Sequence, residues 1–154
     1  MSEVIYFEDM AVGNGIEFGP LTIGREEIIA FAREFDPQPF HLSDEGAAAT
    51  HFGTLSSSGW HTTALSMKMM LAAWETRPGP RPAALGAIGV DELRWLNPVH
   101  AGDTLRGTSK VIEKKASRSR PEMGIVKSQV IMWNQHDEKV LSMVPIVMFR
   151  TRPA

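Results

Sequence analysis

The chain has 154 residues, with a formal net charge of -2 at pH 7 and 22% charged residues. This length predicts one domain, over residues 1–154, that is long enough to bury a hydrophobic core. The weak net charge gives no sign of a nucleic-acid or membrane partner. Cysteine is absent, which excludes disulfides and thiolate metal sites and fits a reducing compartment, so we expect a cytoplasmic protein.

The first half of the chain is predicted to combine one strand with two helices. Residues 16–23 are mostly apolar and predict a short strand. Apolar side chains then recur at i, i+3, i+4 and i+7, as on one face of an amphipathic helix, at Ile28, Phe31, Ala32 and Phe35. Ser43 is the predicted N-cap of a second, short helix that runs through Ala49.

The segment Asp36-Pro37-Gln38-Pro39-Phe40-His41 contains the first candidate site. Proline fixes its own φ and pushes the preceding residue towards extended geometry, so we expect the first helix to stop at Phe35 and the segment to be stiff. A carboxylate (Asp36) and an imidazole (His41) held in this way can act together on one small reactant. The alternative is a helix-ending turn, in which Asp36 is a cap and His41 packs on its edge.

A long helix is predicted to begin at Gly59. The residues that follow are apolar on nearly all sides, and Lys68 is the one charge before Glu75. A helix with this pattern is normally buried. The proline-rich segment 76–82 is predicted to end it.

The second half of the chain is predicted to form strands. Alternating or continuous apolar stretches, separated by turns, span residues 85–96, 104–115, 124–133 and 140–149. Pro145 lacks a ladder donor, so we expect a bulge or an edge strand there. Helices followed by an antiparallel meander predict an α+β fold. A sheet that wraps around one long central helix is the hotdog arrangement.

Three patterns in the sequence point to one family. Residues Phe35 to His41 have the sequence FDPQPFH, Gly59 lies 18 residues after His41, and residues 94–105 have the sequence RWLNPVHAGDTL. Together these patterns resemble the MaoC-like dehydratases, which include the (R)-specific enoyl-CoA hydratases and whose motif is Gly-Asp-x-Asn-Pro-hydrophobic-His. The chain departs from that motif at two positions, with Phe35 in place of glycine and Gln38 in place of asparagine.

The resemblance implies a hydro-lyase that reversibly adds water to a 2-enoyl-CoA and gives a 3-hydroxyacyl-CoA. The catalytic residues that it implies are Asp36, His41 and Gly59. The first two move protons, and the Gly59 N–H at the helix start stabilises the thioester oxygen. The substrate is a small acyl thioester, and no separate cofactor is expected. The exposed edge of a hotdog sheet invites pairing, so we also expect a homodimer or a larger oligomer built from dimers, with the substrate tunnel near the interface.

Five further residues are candidates for contact with the substrate: Gln38, Trp60, His61, Arg118 and Arg120. For His61 the alternative is a packed core histidine. Arg118 and Arg120 lie in a basic hairpin that is either a solvated loop or a contact for the phosphates of a pantetheine carrier. The other histidines have no ligand spacing, so no metal site is predicted.

Two other functions remain open at this level. Hotdog thioesterases carry a carboxylate on or near the central helix, but no acid occurs between Gly59 and Trp74. A non-catalytic acyl-thioester-binding protein would be expected to lack Asp36 or His41, and both are present. The hydratase interpretation is therefore preferred to the thioesterase and the binding protein.

Overall fold

Residues 4–154 are described by a computed structural model, and they form seven strands. In chain order these are β1 (Val4–Ile5), β2 (Gly15–Thr22), β3 (Arg81–Pro82), β4 (Ala84–Trp95), β5 (Thr104–Ala116), β6 (Met123–Trp133) and β7 (Lys139–Arg150). Within this part of the chain, five of them form one antiparallel sheet in the order β2-β5-β6-β7-β4. The predicted strands of the second half are confirmed, and each end differs by at most one residue.

Three α-helices lie within the described chain: α1 (Arg25–Phe35), α2 (Asp44–Ala48) and α3 (Gly59–Thr76). The predicted end of α1 and the predicted start of α3 are both confirmed. The Ser43 side chain caps α2 by accepting from the Gly46 N–H at 2.9 Å. No helix in residues 4–154 is long and apolar enough to cross a membrane.

The core lies between α3 and the concave face of the sheet. Leu65 and Met69 from α3 pack in one buried cluster with Met132 from β6 and Leu141 from β7. Burying a side chain of this size contributes about 1.5–3 kcal/mol. The sheet therefore wraps around one long helix, and the α+β hotdog arrangement predicted from the sequence is confirmed.

Helix α1 adds a second layer beside α3, but its predicted apolar face is only partly buried. Ile28 and Ala32 are fully buried, as their spacing predicts. Phe35 is 64% exposed, so the prediction that it faces the core is wrong. Phe35 is the last residue of α1, and its ring lies 5.0 Å from the Phe31 ring between centroids.

The outer face of α3, defined here by Trp60, Met67 and Leu71, is not covered. These side chains are 58%, 51% and 55% exposed, so the expectation of a helix buried on all sides is wrong for a single chain. The sheet reaches only one side of the helix. An apolar face of this kind beside an unpaired strand is a typical feature of an interaction surface.

The position of Pro145 also differs from the prediction. Strand β7, which contains it, lies inside the sheet between β6 and β4, so it is not an edge strand. Pro145 pairs with Val90 of β4. On the other side, β6 and β7 keep one register from Lys127–Ile146 to Val130–Met143, with no pair at Pro145 between them. The missing N–H of Pro145 therefore falls in a gap in the pairing with β6.

Candidate active site

The segment from Asp36 to His41 is held by its own backbone. The Asp36 N–H donates to the Ala32 carbonyl at 2.9 Å and ends α1. A short 3-10 helix, Pro39–His41, follows, and the His41 N–H donates to the Gln38 carbonyl at 2.9 Å. Since proline restricts both itself and the residue before it, this geometry is largely set by the local sequence. It turns the first and last side chains of the segment towards each other.

Asp36 and His41 face each other with 3.4 Å between Oδ2 and Nε2, and their side chains are 17% and 6% exposed. His41 Nδ1 lies 2.7 Å from the Ser56 carbonyl oxygen. A carbonyl only accepts, so Nδ1 carries the hydrogen, and Nε2 of the neutral ring is an acceptor. When the ring is neutral, two acceptors face each other, and a water molecule that donates to both would satisfy them. This arrangement suits general acid–base chemistry on water.

Both oxygens of Asp36 accept hydrogen bonds. The Gln38 side-chain amide donates to Oδ1 at 2.6 Å, and the Ser58 hydroxyl donates to Oδ2 at 2.8 Å. Burial raises the pKa of Asp36, but the bonds from Gln38 and Ser58 and the nearby His41 ring outweigh it and hold that pKa below its usual value. Asp36 is therefore a carboxylate at neutral pH.

Ser58 is a site residue that was not predicted from the sequence. It is fully buried and occupies the N-cap position of α3, but its side chain makes no capping bond. Instead it donates to Asp36, which lies 22 residues earlier. A serine just before a helix typically caps it, so the sequence alone carries no sign of this bond. Only the packing of α3 against the end of α1 shows that the Ser58 hydroxyl donates to Asp36.

Gly59 is the first residue of α3, as predicted. A Cβ added there would overlap the indole ring of Trp95, at the end of β4. Trp95 is held in place because its Nε1 donates to the Thr63 hydroxyl at 3.0 Å and its ring meets Trp60 edge-on, with 5.0 Å between centroids. Packing alone thus requires a glycine. The role of its N–H at the thioester oxygen stays a prediction.

His61 is packed beside this site. Its side chain is buried, its ring stacks on Phe31 with 4.7 Å between centroids, and its Nδ1 lies 3.1 Å from the Ser57 hydroxyl oxygen. Burial lowers the pKa of His61; Glu27 opposes this effect and Lys68 adds to it. The geometry matches the alternative of a packed histidine, and contact with substrate stays a prediction.

Arg118 and Arg120 lie at the other end of the sheet. The start of β5 at Thr104 is near the candidate site, because residues 99–100 pair with residues 56–57 just before α3. β5 then runs for 13 residues, about 40 Å, before the hairpin that carries the two exposed arginines. One chain does not bring them to the candidate site, so their contact with phosphate stays a prediction.

The described part of the chain has a groove beside α3 but no cluster of metal-ligating side chains. Residues 4–154 contain no group of three or more His, Asp or Glu side chains placed to share a metal ion. A groove of about 600 Å³ lies between β2 and the second half of α3, but Asp36 and His41 do not line it. The Asp36–His41 pair is therefore not enclosed by this groove.

Comparison with protein families gives one match that spans most of the chain. Residues 9–134 match the family model described as the MaoC like domain. The matched range includes Asp36, His41, Ser58 and Gly59, so the whole candidate site falls within it.

Comparison with individual proteins gives relatives of the same kind. A 3-hydroxybutyryl-CoA dehydratase from Methylorubrum extorquens is 34% identical over 123 residues, which cover 78% of this chain and 72% of the relative. The crystal structure of a MaoC-like dehydratase from Rhodospirillum rubrum superposes with a TM-score of 0.85 at 37% identity, over 97% of this chain and 99% of the other. The unliganded R-hydratase PhaJ1 from Pseudomonas aeruginosa superposes with a TM-score of 0.69 at 27% identity, over 96% of this chain and 87% of the other.

Proposed function

The chain belongs to the MaoC-like dehydratase family, and from this membership we propose that it reversibly adds water to a 2-enoyl-CoA to give a 3-hydroxyacyl-CoA. The observation that carries the proposal is the Asp36–His41 pair, whose facing oxygen and nitrogen are 3.4 Å apart. The family and the names of its relatives indicate a hydratase or dehydratase. The enoyl-CoA substrate is our proposal for this chain.

The proposed reaction uses the two facing acceptors to activate one water molecule. The water donates one hydrogen to Asp36 Oδ2 and the other to His41 Nε2. As the water oxygen bonds to the β-carbon, one proton passes to this pair of groups, and the pair returns a proton to the α-carbon. Overall, OH adds to the β-carbon and H adds to the α-carbon. General acid–base catalysis of this kind contributes about 10²- to 10⁴-fold.

Negative charge that builds on the thioester oxygen in the transition state is stabilised by a hydrogen-bond donor. We place this oxygen near the N-terminus of α3, where the Gly59 N–H and the positive end of the helix dipole favour it. The nearness of Ser58 supports this placement, since it joins the first turn of α3 to Asp36. The reaction is redox-neutral and needs no electron carrier, so coenzyme A enters only as part of the substrate.

We further propose that the protein is a homodimer whose two β4 edges meet. β4 pairs with β7 on one side only, and its side chains Leu85, Val90 and Trp95 are 41%, 46% and 45% exposed. An open apolar edge favours strand pairing with a second copy. Because Trp95 packs on Gly59, a partner bound at this edge would border the candidate site.

The dimer gives the distant arginines a role. With a two-fold axis perpendicular to the sheet, the two β4 strands run antiparallel, so the Trp95 end of one meets the Ala84 end of the other. The Ala84 end of the sheet carries the hairpin with Arg118 and Arg120. We propose that the partner subunit's hairpin binds the phosphates of coenzyme A. Replacing both arginines by glutamate should then raise KM for an enoyl-CoA but not for the N-acetylcysteamine thioester, and equal effects would contradict it.

The experiment that tests the reaction is a panel of 2-enoyl-CoA thioesters of increasing chain length. Loss of the enoyl absorbance, with a 3-hydroxyacyl-CoA as product, is the expected result. Release of free coenzyme A would indicate a thioesterase instead. Binding without any turnover on the whole panel would favour the non-catalytic binding protein.

A further inference from the structure

Gln38 stands where the family motif has asparagine, and in the structure it contacts Asp36. Its amide nitrogen donates to Oδ1 of Asp36 at 2.6 Å, while Ser58 holds Oδ2 at 2.8 Å and His41 faces Oδ2 at 3.4 Å. Oδ1 is thus the carboxylate oxygen that points away from the proposed water. The Gln38 amide therefore donates to the carboxylate and not to the proposed water.

The backbone prepares Gln38 for this contact. Pro37 precedes it and Pro39 follows it, and Gln38 itself is extended, with φ -88° and ψ 145°. Its N–H donates to the Asp36 carbonyl at 2.7 Å, so that the side chain folds back over the residue two positions earlier. Since proline restricts the residue before it, Pro39 limits the backbone of Gln38, and this favours placement of the amide before any substrate arrives.

We propose that Gln38 is a positioning residue that acts through Asp36: its amide holds the plane of the carboxylate so that Oδ2 faces His41 Nε2. The last torsion of an aspartate side chain has a broad distribution, so one hydrogen bond from Ser58 does not fix it. Hydrogen bonds to both carboxylate oxygens fix this torsion. The kinetic consequence rests on the proposed hydration reaction, whereas the contact itself does not.

The bond has an electrostatic effect as well as a geometric one. A donor to a carboxylate favours its ionised form, and the Gln38 bond is one of the causes that lower the pKa of Asp36. Removing the donor should therefore raise that pKa. A residue that only contacts substrate would not change the titration of Asp36 in the free protein.

The test compares Gln38→Met, which keeps the length and removes the donor, with Gln38→Asn, which keeps a donor. Gln135→Met is the matched control, because the Gln135 amide donates to the Asp103 carboxylate at 2.9 Å outside the site. The titration of Asp36 is followed by carboxyl ¹³C NMR, and kcat and KM are measured against pH on the best enoyl-CoA.

For Gln38→Met we expect Asp36 to titrate at higher pH and the acid limb of kcat/KM to move in the same direction. We also expect kcat to fall about 10- to 100-fold, as for a lost hydrogen bond to a charged group, with KM nearly unchanged. Gln38→Asn should keep more of kcat, and Gln135→Met should leave the titration of Asp36 unchanged.

A rise in KM with kcat unchanged would overturn the proposal and make Gln38 a substrate contact. An unchanged Asp36 titration in Gln38→Met would overturn it as well. If the wild-type protein hydrates no enoyl-CoA, the proposed function fails, but the NMR titration still decides whether Gln38 controls Asp36.

Discussion

On the residue scale, the behaviour of Asp36 follows from which neighbour uses each of its oxygens. Oδ1 accepts a hydrogen bond from Gln38. Oδ2 accepts one from Ser58 and also faces the His41 ring. The result is an ionised, oriented and mostly buried carboxylate beside an imidazole whose Nδ1 is held by the Ser56 carbonyl. This is the pre-organisation that proton transfer to and from a bound water requires.

Removing either member of this pair should abolish most of the activity. Asp36→Asn keeps the shape and removes the base, and His41→Ala removes the imidazole, so each should lower kcat by about 100- to 10,000-fold. If both hold the same water, the double variant should be little worse than the poorer single variant. A thermal melt of each variant is the control. Melting temperatures that fall while turnover per folded molecule stays level would contradict the catalytic assignment.

His61 should make stability depend on pH in a defined window. Burial holds its folded pKa below the unfolded value, which is about 6.5. Below about pH 6.5 the unfolded chain therefore binds more protons than the folded one, and the free energy of unfolding falls as the pH drops through this window. His61→Leu should flatten the dependence, measured by urea unfolding between pH 7 and 5.

The control for this prediction is His51→Gln, at an exposed histidine outside the Phe31 stack. It should leave the slope of stability against pH close to that of the wild type. If His61→Leu and the wild type have the same slope, burial of His61 does not control this part of the pH dependence.

On the scale of elements, the start of α3 is fixed by two contacts from distant parts of the chain. Ser58 bonds to the residue that ends α1, and Trp95 at the end of β4 packs over Gly59. Helix, loop and edge strand therefore meet at the candidate site. A shift of α3 along its axis would disturb the proposed oxyanion donor and the orientation of Asp36 together.

Two variants at this junction separate packing from catalysis. Gly59→Ala should destabilise the protein by about 1–3 kcal/mol, because the new methyl group overlaps the Trp95 ring. In a Trp95→Ala background the methyl group has room, so Gly59→Ala should cause much less destabilisation there. Because Gly59→Ala keeps the backbone N–H, the double variant should turn over about as fast as Trp95→Ala alone. Slower turnover of the double variant would show that the added methyl group blocks the approach of the substrate to this N–H.

On the scale of the whole molecule, the open β4 edge and the outer face of α3 are two apolar surfaces within residues 4–154 that stay exposed in a single chain. They lie side by side, since Trp95 and Trp60 touch. A single chain therefore exposes apolar area next to the site. Pairing of two copies through this surface would bury it and close one side of the substrate path.

We expect light scattering to give the mass of a dimer, or a multiple of it, at micromolar concentration. Val90→Arg places a charge on the β4 edge and should split the dimer and reduce turnover. Ile112→Arg is the matched control, because Ile112 lies on β5, away from that edge, and is also 46% exposed. A monomeric wild type with full activity would rule the dimer out.

Much of the fold could be predicted from the sequence because its signals are local. Apolar periodicity and turn residues set the strands of the second half to within one residue, and two prolines ended α1 at Phe35 and made the segment to His41 stiff. Proline restricts the backbone wherever it occurs, and a period of two marks a strand without knowledge of its partner. The facing of Asp36 and His41 followed from that local stiffness.

Only the tertiary structure decided which distant groups meet. The donation from Ser58 to Asp36 spans 22 residues, and Trp95, which packs over Gly59, lies 36 positions later in the chain. The tertiary structure also decided which side of α3 the sheet leaves open, because a helix that is apolar on nearly all sides has no preferred buried face. Local patterns carry no information on these contacts, since each depends on how whole elements pack rather than on the residues next to it.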